Sequence, residues 1–105
     1  MPNIFADLPT GAPEEQLTDL TARRGLRIER IVSNGQSSPP DFWYDQAHDE
    51  WVILLRGAAG LAIAGEAEMR LASGDYIFLP AHTRHRVTRT DETQPTVWLA
   101  VHVGD

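Results

Sequence analysis

Apolar residues along this chain recur mainly at every second position, in short runs that turn residues separate. Between residues 96 and 103, one parity holds only valine and leucine. Residues 26–33 begin with the same alternation, here between apolar and charged side chains. A repeat of two indicates β-strands with one buried face, because successive side chains of a strand point to opposite sides.

The segment 50–56 differs, since it is apolar at both parities except at its ends. Such a run is typical of a strand that is covered on both faces. Turn residues at Gly57, Gly65, Gly74 and Pro80 separate the strands that follow. Shorter strands are predicted at 42–46, 61–64, 66–71, 76–79 and 85–89. About eight short strands with turns between them predict an all-β sandwich or barrel.

Residues 1–25 are predicted to form an N-terminal arm, followed by a single barrel domain at 26–105. Prolines and a glycine within the first 13 residues interrupt any long element there. The segment 14–22 stays open between a short helix, which the spacing of Leu17 and Leu20 favours, and an edge strand, which its threonines favour. The arm is expected to pack on the barrel or on a partner subunit.

The composition limits the classes of function. The chain has 105 residues and a formal charge of −6, from 9 basic and 15 acidic residues, so one acidic domain is expected. Nucleic acids and membranes are not expected as partners, because anionic surfaces require clustered positive charge. The lack of cysteine excludes thiolate ligands, and the lack of lysine excludes Schiff-base chemistry. Without a long apolar run or a secretory signal, a cytoplasmic location is expected.

The four histidines, His48, His82, His85 and His102, lie at or beside predicted strand ends in the second half of the chain. A single histidine usually has a structural role, but neutral imidazole is also the commonest metal ligand. In a small barrel, alternate side chains point into one lumen, so several histidines can meet there. The pattern indicates a candidate metal or ligand site inside the barrel.

Two segments of the chain resemble the two motifs of the cupin superfamily. The first motif has a His-x-His pair, then Glu after three or four residues and Gly after six more, and Glu50 and Gly57 match its second half. The second motif reads Gly-x5-Pro-x-Gly-x2-His-x3-Asn, and Gly74, Pro80 and His85 match it. The resemblance spans about residues 26–103. It implies a single-domain double-stranded β-helix, the jelly-roll barrel of the cupins.

The departures from these motifs fall on the metal ligands. Counting back from Glu50, the positions of the two histidines hold Trp43 and Asp45 or, with the shorter gap, Tyr44 and Gln46. In cupins the histidine pair, the glutamate and the later histidine bind a divalent metal ion. The resemblance therefore transfers only Glu50 and His85 as ligands.

A divalent metal centre with Glu50 and His85 as core ligands is what the resemblance implies. Side chains that can complete the set are Gln46, Asp45, His48 and His102. A mixed nitrogen and oxygen set suits zinc, nickel, iron or manganese without selecting one of them. A shift of one residue in register decides whether Asp45 or Gln46 faces the lumen, so both stay open. A structural role for Glu50, paired with an arginine, is the alternative.

A substrate pocket is predicted beside this centre, lined by Tyr44, Arg89, Trp98 and His102. Alternation along 85–89 places Arg89 inside, where its planar guanidinium can clamp a carboxylate or a phosphate. His102 and Trp98 share one face of the last strand. Aromatic residues in a small all-β domain are more often core than pocket lining, and this alternative stays open.

The predicted strand at 50–56 also has consequences for assembly. Glu50 and Trp51 must face opposite sides of it. If Glu50 points into the lumen, then Trp51, Ile53 and Leu55 form an apolar outer face that needs cover. The N-terminal arm or a second subunit can supply that cover, and we predict a homodimer.

Two functions agree with these observations. The first is a cupin that holds one divalent transition metal in its lumen and acts on a small organic acid or a sugar-like substrate. The alternative is a metal-free module that binds or senses a small ligand, which the incomplete histidine pair favours. The type of reaction does not follow from the resemblance, because one fold carries many chemistries.

Overall fold

Eight antiparallel strands make up the regular structure of residues 1–104, the part of the chain that the computed structural model describes. In chain order they are β1 (Gln16–Arg23), β2 (Leu26–Ser33), β3 (Asp49–Arg56), β4 (Ala58–Ile63), β5 (Met69–Ala72), β6 (Tyr76–Leu79), β7 (His85–Thr90) and β8 (Thr96–Val103). A five-stranded sheet has the order β1-β2-β8-β3-β6, and a three-stranded sheet has the order β5-β4-β7. The all-β prediction is confirmed. Within the described residues, no helix has the length and apolar character needed to cross a membrane.

The two sheets enclose a core that comes from the inward parity of their strands. Leu54 on β3, Trp98 on β8 and Leu61 on β4 are almost fully buried and belong to one cluster. Towards the other end of the same two strands, the inward positions become polar, with Glu50 on β3 and His102 on β8. The strands that build the core therefore also hold polar groups inside the barrel.

Of the two structures considered for the segment 14–22, a short helix and an edge strand, the protein has the edge strand. β1 pairs with β2 along its whole length, with a register shift between Asp19 and Thr21. The residues before β1 lie along the same sheet, because the Arg30 guanidinium donates hydrogen bonds to the carbonyl oxygens of Ile4 at 3.2 Å and Ala6 at 2.7 Å. The N-terminal segment thus packs on the barrel of its own chain.

The predicted strand at 42–46 is the main difference in local structure. Apart from one isolated bridge between Tyr44 and His85, this segment is a loop. Two consecutive prolines precede it, and within the segment only Tyr44 exchanges backbone hydrogen bonds with a strand, at His85. The bridge is enough to fix the Tyr44 side chain beside His85.

The outer face of the five-stranded sheet is apolar. Register pairs Trp51 with Phe78 and with Val101, and Ile53 with Tyr76, all on the side away from the core. Tyr76 is 67% exposed and Phe78 is 54% exposed, while the Trp51 ring lies 5.5 Å from the Tyr76 ring. The expected opposite orientations of Glu50 and Trp51 are confirmed.

Candidate functional site

A cavity of about 240 Å³ lies between the two sheets. Its base is apolar and includes Val52, Leu61, Leu79 and Trp98. Its upper part is polar, with Glu15, Arg27, Glu29, Tyr44, Gln46, Glu50, His85 and His102. A cavity with an apolar base and a few converging polar groups is the usual form of a small-molecule site.

Strand register explains why these polar side chains converge. Arg27, His102, Glu50 and Leu79 are direct partners across the neighbouring strands β2, β8, β3 and β6. Direct partners in a sheet point to the same face. The first three of these side chains therefore enter the cavity as one row, and Glu29, two residues after Arg27, enters beside them.

Glu50 and His85 face each other from opposite sheets. The Glu50 Oε1 atom lies 3.8 Å from the His85 Nε2 atom, which is too far for a hydrogen bond, and both side chains are buried. Burial raises the pKa of Glu50 to about 7, with a further contribution from the Glu29 carboxylate and a smaller opposing one from Arg27. Near neutral pH this carboxyl group is thus close to half protonated.

The imidazole of His85 has a defined orientation. Its Nδ1 atom lies 2.8 Å from the Thr83 carbonyl oxygen, which only accepts hydrogen bonds, so Nδ1 carries the proton. The Nε2 lone pair then faces the cavity. Burial lowers the pKa of His85, against the opposing effect of the Thr83 carbonyl.

Tyr44 completes the wall beside His85. Its ring stacks on the imidazole with 5.3 Å between centroids, and the two backbones exchange hydrogen bonds of 2.7 and 3.1 Å. Burial raises the pKa of Tyr44, and the carboxylates of Glu15, Glu50 and Glu29 add to the effect. The phenol is therefore uncharged and available as a hydrogen-bond donor.

A second polar network runs from the cavity to the surface. His48 Nε2 lies 2.8 Å from His102 Nδ1, and His102 Nε2 lies 3.2 Å from Glu29 Oε1. Glu29 Oε2 accepts a hydrogen bond of 2.8 Å from Arg27, whose guanidinium also pairs with Asp19 at 3.4 Å. The positive charge of Arg27 is thus already balanced by two carboxylates. Burial is the main cause of the lowered pKa of His102.

The structure separates the predicted metal ligands. Gln46 lines the cavity together with Glu50 and His85, which answers the question of register in favour of Gln46 over Asp45. Asp45 instead pairs with His82 at 2.8 Å on the exposed rim. His48 lies outside the lining and contacts His102.

The predicted pocket residues Tyr44, Trp98 and His102 do line the cavity, but Arg89 does not. Arg89 is exposed on the outside of the barrel. The cause is a bulge in β7: Arg89 pairs with Gly60 and Val87 with Leu61, so Thr88 is an extra residue between them. The bulge reverses the alternation that starts at His85, which corrects the expected inward orientation of Arg89.

Three charged residues of the cavity were not among the predicted site residues: Glu15, Arg27 and Glu29. Glu29 and Arg27 lie on β2, where alternation alone does not tell the solvent face from the lumen. Ile31 shares the parity of Glu29, but Leu26 and Ile28 are apolar at the opposite parity, so the pattern along β2 favours neither face. Glu15 precedes β1, and no pattern in the sequence places that segment at the mouth of a cavity.

The donor set does not fit the four-ligand metal centre of the cupin motif. Across residues 1–104, no three side chains of histidine, cysteine, aspartate or glutamate converge on one point suitable for a metal ion. Glu29, the nearest additional carboxylate, is engaged by Arg27 and His102. What remains is the pair Glu50 and His85 with the neutral amide of Gln46 nearby.

Comparison with known proteins identifies the family. Residues 29–102 match the family profile described as Cupin domain. The chain belongs to the cupin family. The solved structure of a proposed mannose-6-phosphate isomerase from Ralstonia eutropha JMP134 is 53% identical, with a TM-score of 0.97, and the match covers 100% of this chain and 98% of that chain.

More distant cupins share only the fold. A cupin superfamily protein from Desulfitobacterium hafniense DCB-2 is 17% identical, with a TM-score of 0.73 and coverage of 89% of this chain and 80% of that chain. An RmlC-like cupin with a double-stranded β-helix fold, from Methanocaldococcus jannaschii, is 14% identical, with a TM-score of 0.71 and coverage of 90% and 84%. These likenesses confirm the predicted double-stranded β-helix. Among curated proteins, none matches the chain.

Proposed function

We propose that this cupin binds a small, sugar-like molecule without negative charge in its cavity and transfers a proton on it with Glu50 and His85. The observation that carries the proposal is the placement of these two groups 3.8 Å apart in a buried cavity, without a hydrogen bond between them. Buried titratable groups whose pKa values are shifted and that line a cavity are typical of functional sites. The similarity to a proposed sugar-phosphate isomerase supports a sugar-related substrate.

The two groups are suited to opposite halves of a proton transfer. His85 offers the Nε2 lone pair as a general base, because its Nδ1 proton is held by the Thr83 carbonyl. Glu50, with a pKa of about 7, can supply a proton as a general acid at neutral pH. Isomerisation of an aldose to a ketose requires one base and one acid on neighbouring atoms, and a single small ligand can reach both groups.

The charge of the cavity favours a substrate without a phosphate. Glu15, Glu29 and Glu50 line it, and Arg27, the cation among the lining residues, is paired with Glu29 and Asp19. A phosphate or a carboxylate placed there would meet like charges at low dielectric. We therefore propose an unphosphorylated sugar or a similar polyol, in contrast to the substrate named for the Ralstonia relative and to the organic acids expected from the sequence.

Solvent exchange tests this proposal directly. Aldoses are incubated with the protein in D2O, and NMR measures deuterium at the carbon next to the carbonyl. We expect exchange with unphosphorylated aldoses, a loss of at least about 100-fold in His85→Gln, and no loss in the matched control His82→Gln, because His82 lies on the exposed rim. Equal exchange in both variants, or a preference for sugar phosphates, would contradict the proposal.

A divalent cation between Glu50 and His85 is the second candidate function. From their separation of 3.8 Å, a small approach of the two side chains would place each ligand atom about 2 Å from one tetrahedral ion, and Gln46 lines the same cavity. Elemental analysis after incubation with zinc, nickel, iron and manganese salts tests it. This candidate predicts near-stoichiometric metal in the wild type and in His82→Gln, but not in His85→Gln; a metal-free protein after all four incubations would rule it out.

For assembly, we propose that the outer face of the five-stranded sheet binds a second copy of the chain. The face is apolar and includes exposed Tyr76 and Phe78, and exposed apolar area of this kind is typical of protein–protein contact surfaces. Light scattering after size exclusion should give a dimer mass for the wild type and a monomer mass for Phe78→Asp. The control Phe42→Asp, at an exposed aromatic residue away from this face, should remain dimeric; a monomeric wild type would refute the proposal.

A further inference from the structure

A groove of about 330 Å³ adjoins the mouth of the cavity. The two spaces share Glu15, Tyr44 and Val87, so they adjoin each other at these three residues. Phe42 and Pro39 extend the groove away from the barrel. Cavity and groove are therefore adjacent spaces that share one wall.

The walls of the groove are held in place by hydrogen bonds. Ser38 exchanges hydrogen bonds with the Val87 backbone, with distances of 2.8 and 3.1 Å. The Phe42 amide donates to the Pro39 carbonyl oxygen at 3.0 Å. On the opposite side, the Ser33 hydroxyl donates to one oxygen of Glu15 at 2.6 Å and fixes the carboxylate. A groove with fixed walls binds a ligand without a large cost in conformational entropy.

The chemistry of these walls selects for positive charge. Glu15 is the charged residue of the groove lining, and it stands beside two aromatic rings. Phe42 is 44% exposed and contacts Tyr44 edge to face, with 4.8 Å between centroids. A carboxylate next to aromatic rings is the combination that recognises an organic cation, through charge and through cation–π attraction. The connected cavity adds Glu50, which is only 8% exposed and makes no hydrogen bond within the described residues.

We infer that cavity and groove form one two-part site, in which the groove holds an organic cation and the cavity holds the uncharged remainder of the same molecule. The cation is a protonated amine or a quaternary ammonium group. The inner half of this site rests on the proposed function of the cavity. The outer half rests on Glu15, Phe42 and Tyr44 alone.

A pair of probes that differ only in charge tests the inference. Choline and 3,3-dimethylbutan-1-ol have the same shape, but only choline carries a positive charge. NMR titration of the backbone amides should show shifts at Phe42, Tyr44 and Val87, with choline binding at least about tenfold more tightly than the neutral alcohol. Equal affinities, or no binding of choline, would overturn the inference.

Variants test whether the preference for choline depends on the residues that line the groove. Glu15→Gln keeps the acceptor for Ser33 and should remove most of the preference for choline, whereas Glu14→Gln, at the exposed neighbouring position, should keep it. Phe42→Leu keeps bulk without the π face and should weaken choline severalfold. Equal effects of Glu14→Gln and Glu15→Gln would contradict a specific site.

Failure of the proposed proton transfer and failure of the cation site give different experimental results. His85→Gln should lose deuterium exchange on aldoses and yet keep the preference for choline, since His85 does not line the groove. A wild type that shows the preference without any exchange would leave the cation site standing and refute the proton transfer. Exchange without the preference would refute the cation site alone.

Discussion

Alanine in place of Gly57 is expected to lower the free energy of unfolding by about 3 kcal/mol, from strain in the backbone and from overlap with a buried strand. Gly57 has a φ of +94°, a region that side chains disfavour. An added Cβ would lie 2.6 Å from Oγ1 and 2.9 Å from Cα of Thr96, a fully buried residue of β8. The Cα of a central strand cannot move without disturbing both of its neighbours.

Gly74 provides a control that separates the two causes. Its φ of +93° is nearly the same, but a Cβ there would meet no atom within 4 Å. Gly74→Ala should therefore lose only the contribution of the backbone, about 1 kcal/mol. Urea unfolding followed by tryptophan fluorescence measures both variants; equal losses would show that contact with Thr96 is unimportant.

The second large effect is an increase in stability for Glu50→Gln above pH 7. Burial moves the pKa of this carboxyl group from 4.5 to about 7, so the folded protein holds the proton more tightly than the unfolded chain does. The contribution of Glu50 to the free energy of unfolding is then highest below pH 4.5. This contribution is lost as the pH rises through 7. Glutamine cannot ionise, and the variant should gain about 3 kcal/mol relative to the wild type at pH 8.

Urea unfolding between pH 4.5 and 8 measures this effect as the difference between the two proteins. The difference is informative because the lowered pKa of His85 changes the stability of both proteins with pH in the opposite sense. The exposed Glu66→Gln should follow the wild type at every pH. A constant difference between wild type and Glu50→Gln over this range would mean that Glu50 is not desolvated.

One effect concerns Glu50 on β3 and the other Gly57, which directly follows β3, and they differ in what they imply about function. Gly57 serves the fold, because it lets β3 turn closely past β8 into β4. Glu50 lowers the stability of the folded protein, because burial without a hydrogen bond is unfavourable for the ionised form of its side chain. A residue that lowers stability and lines a cavity is more readily explained by binding or catalysis than by structure.

A run of apolar residues at both parities predicted β3. Alternation was sufficient to predict β2 and β8 and to place Glu50 and Trp51 on opposite faces. It was insufficient for Arg89, because the bulge at Thr88 inserts one residue and reverses every later side chain on β7. Bulges depend on pairing with the neighbouring strand, and a pattern along one strand does not contain that information. Of the predicted metal ligands, His48 lies outside the cavity lining, where its Nε2 atom contacts Nδ1 of His102.

By itself, the sequence determined the class of fold and the cupin motifs that contain Glu50 and His85. These depend on the local period of apolar residues and on the spacing of a few residues along the chain. Only the tertiary structure decided that Gln46 and not Asp45 faces the lumen, that Arg27 is neutralised, and that Glu15 stands at the mouth. Those facts depend on register and on contacts between distant segments, where a shift of one residue moves a side chain to the other face.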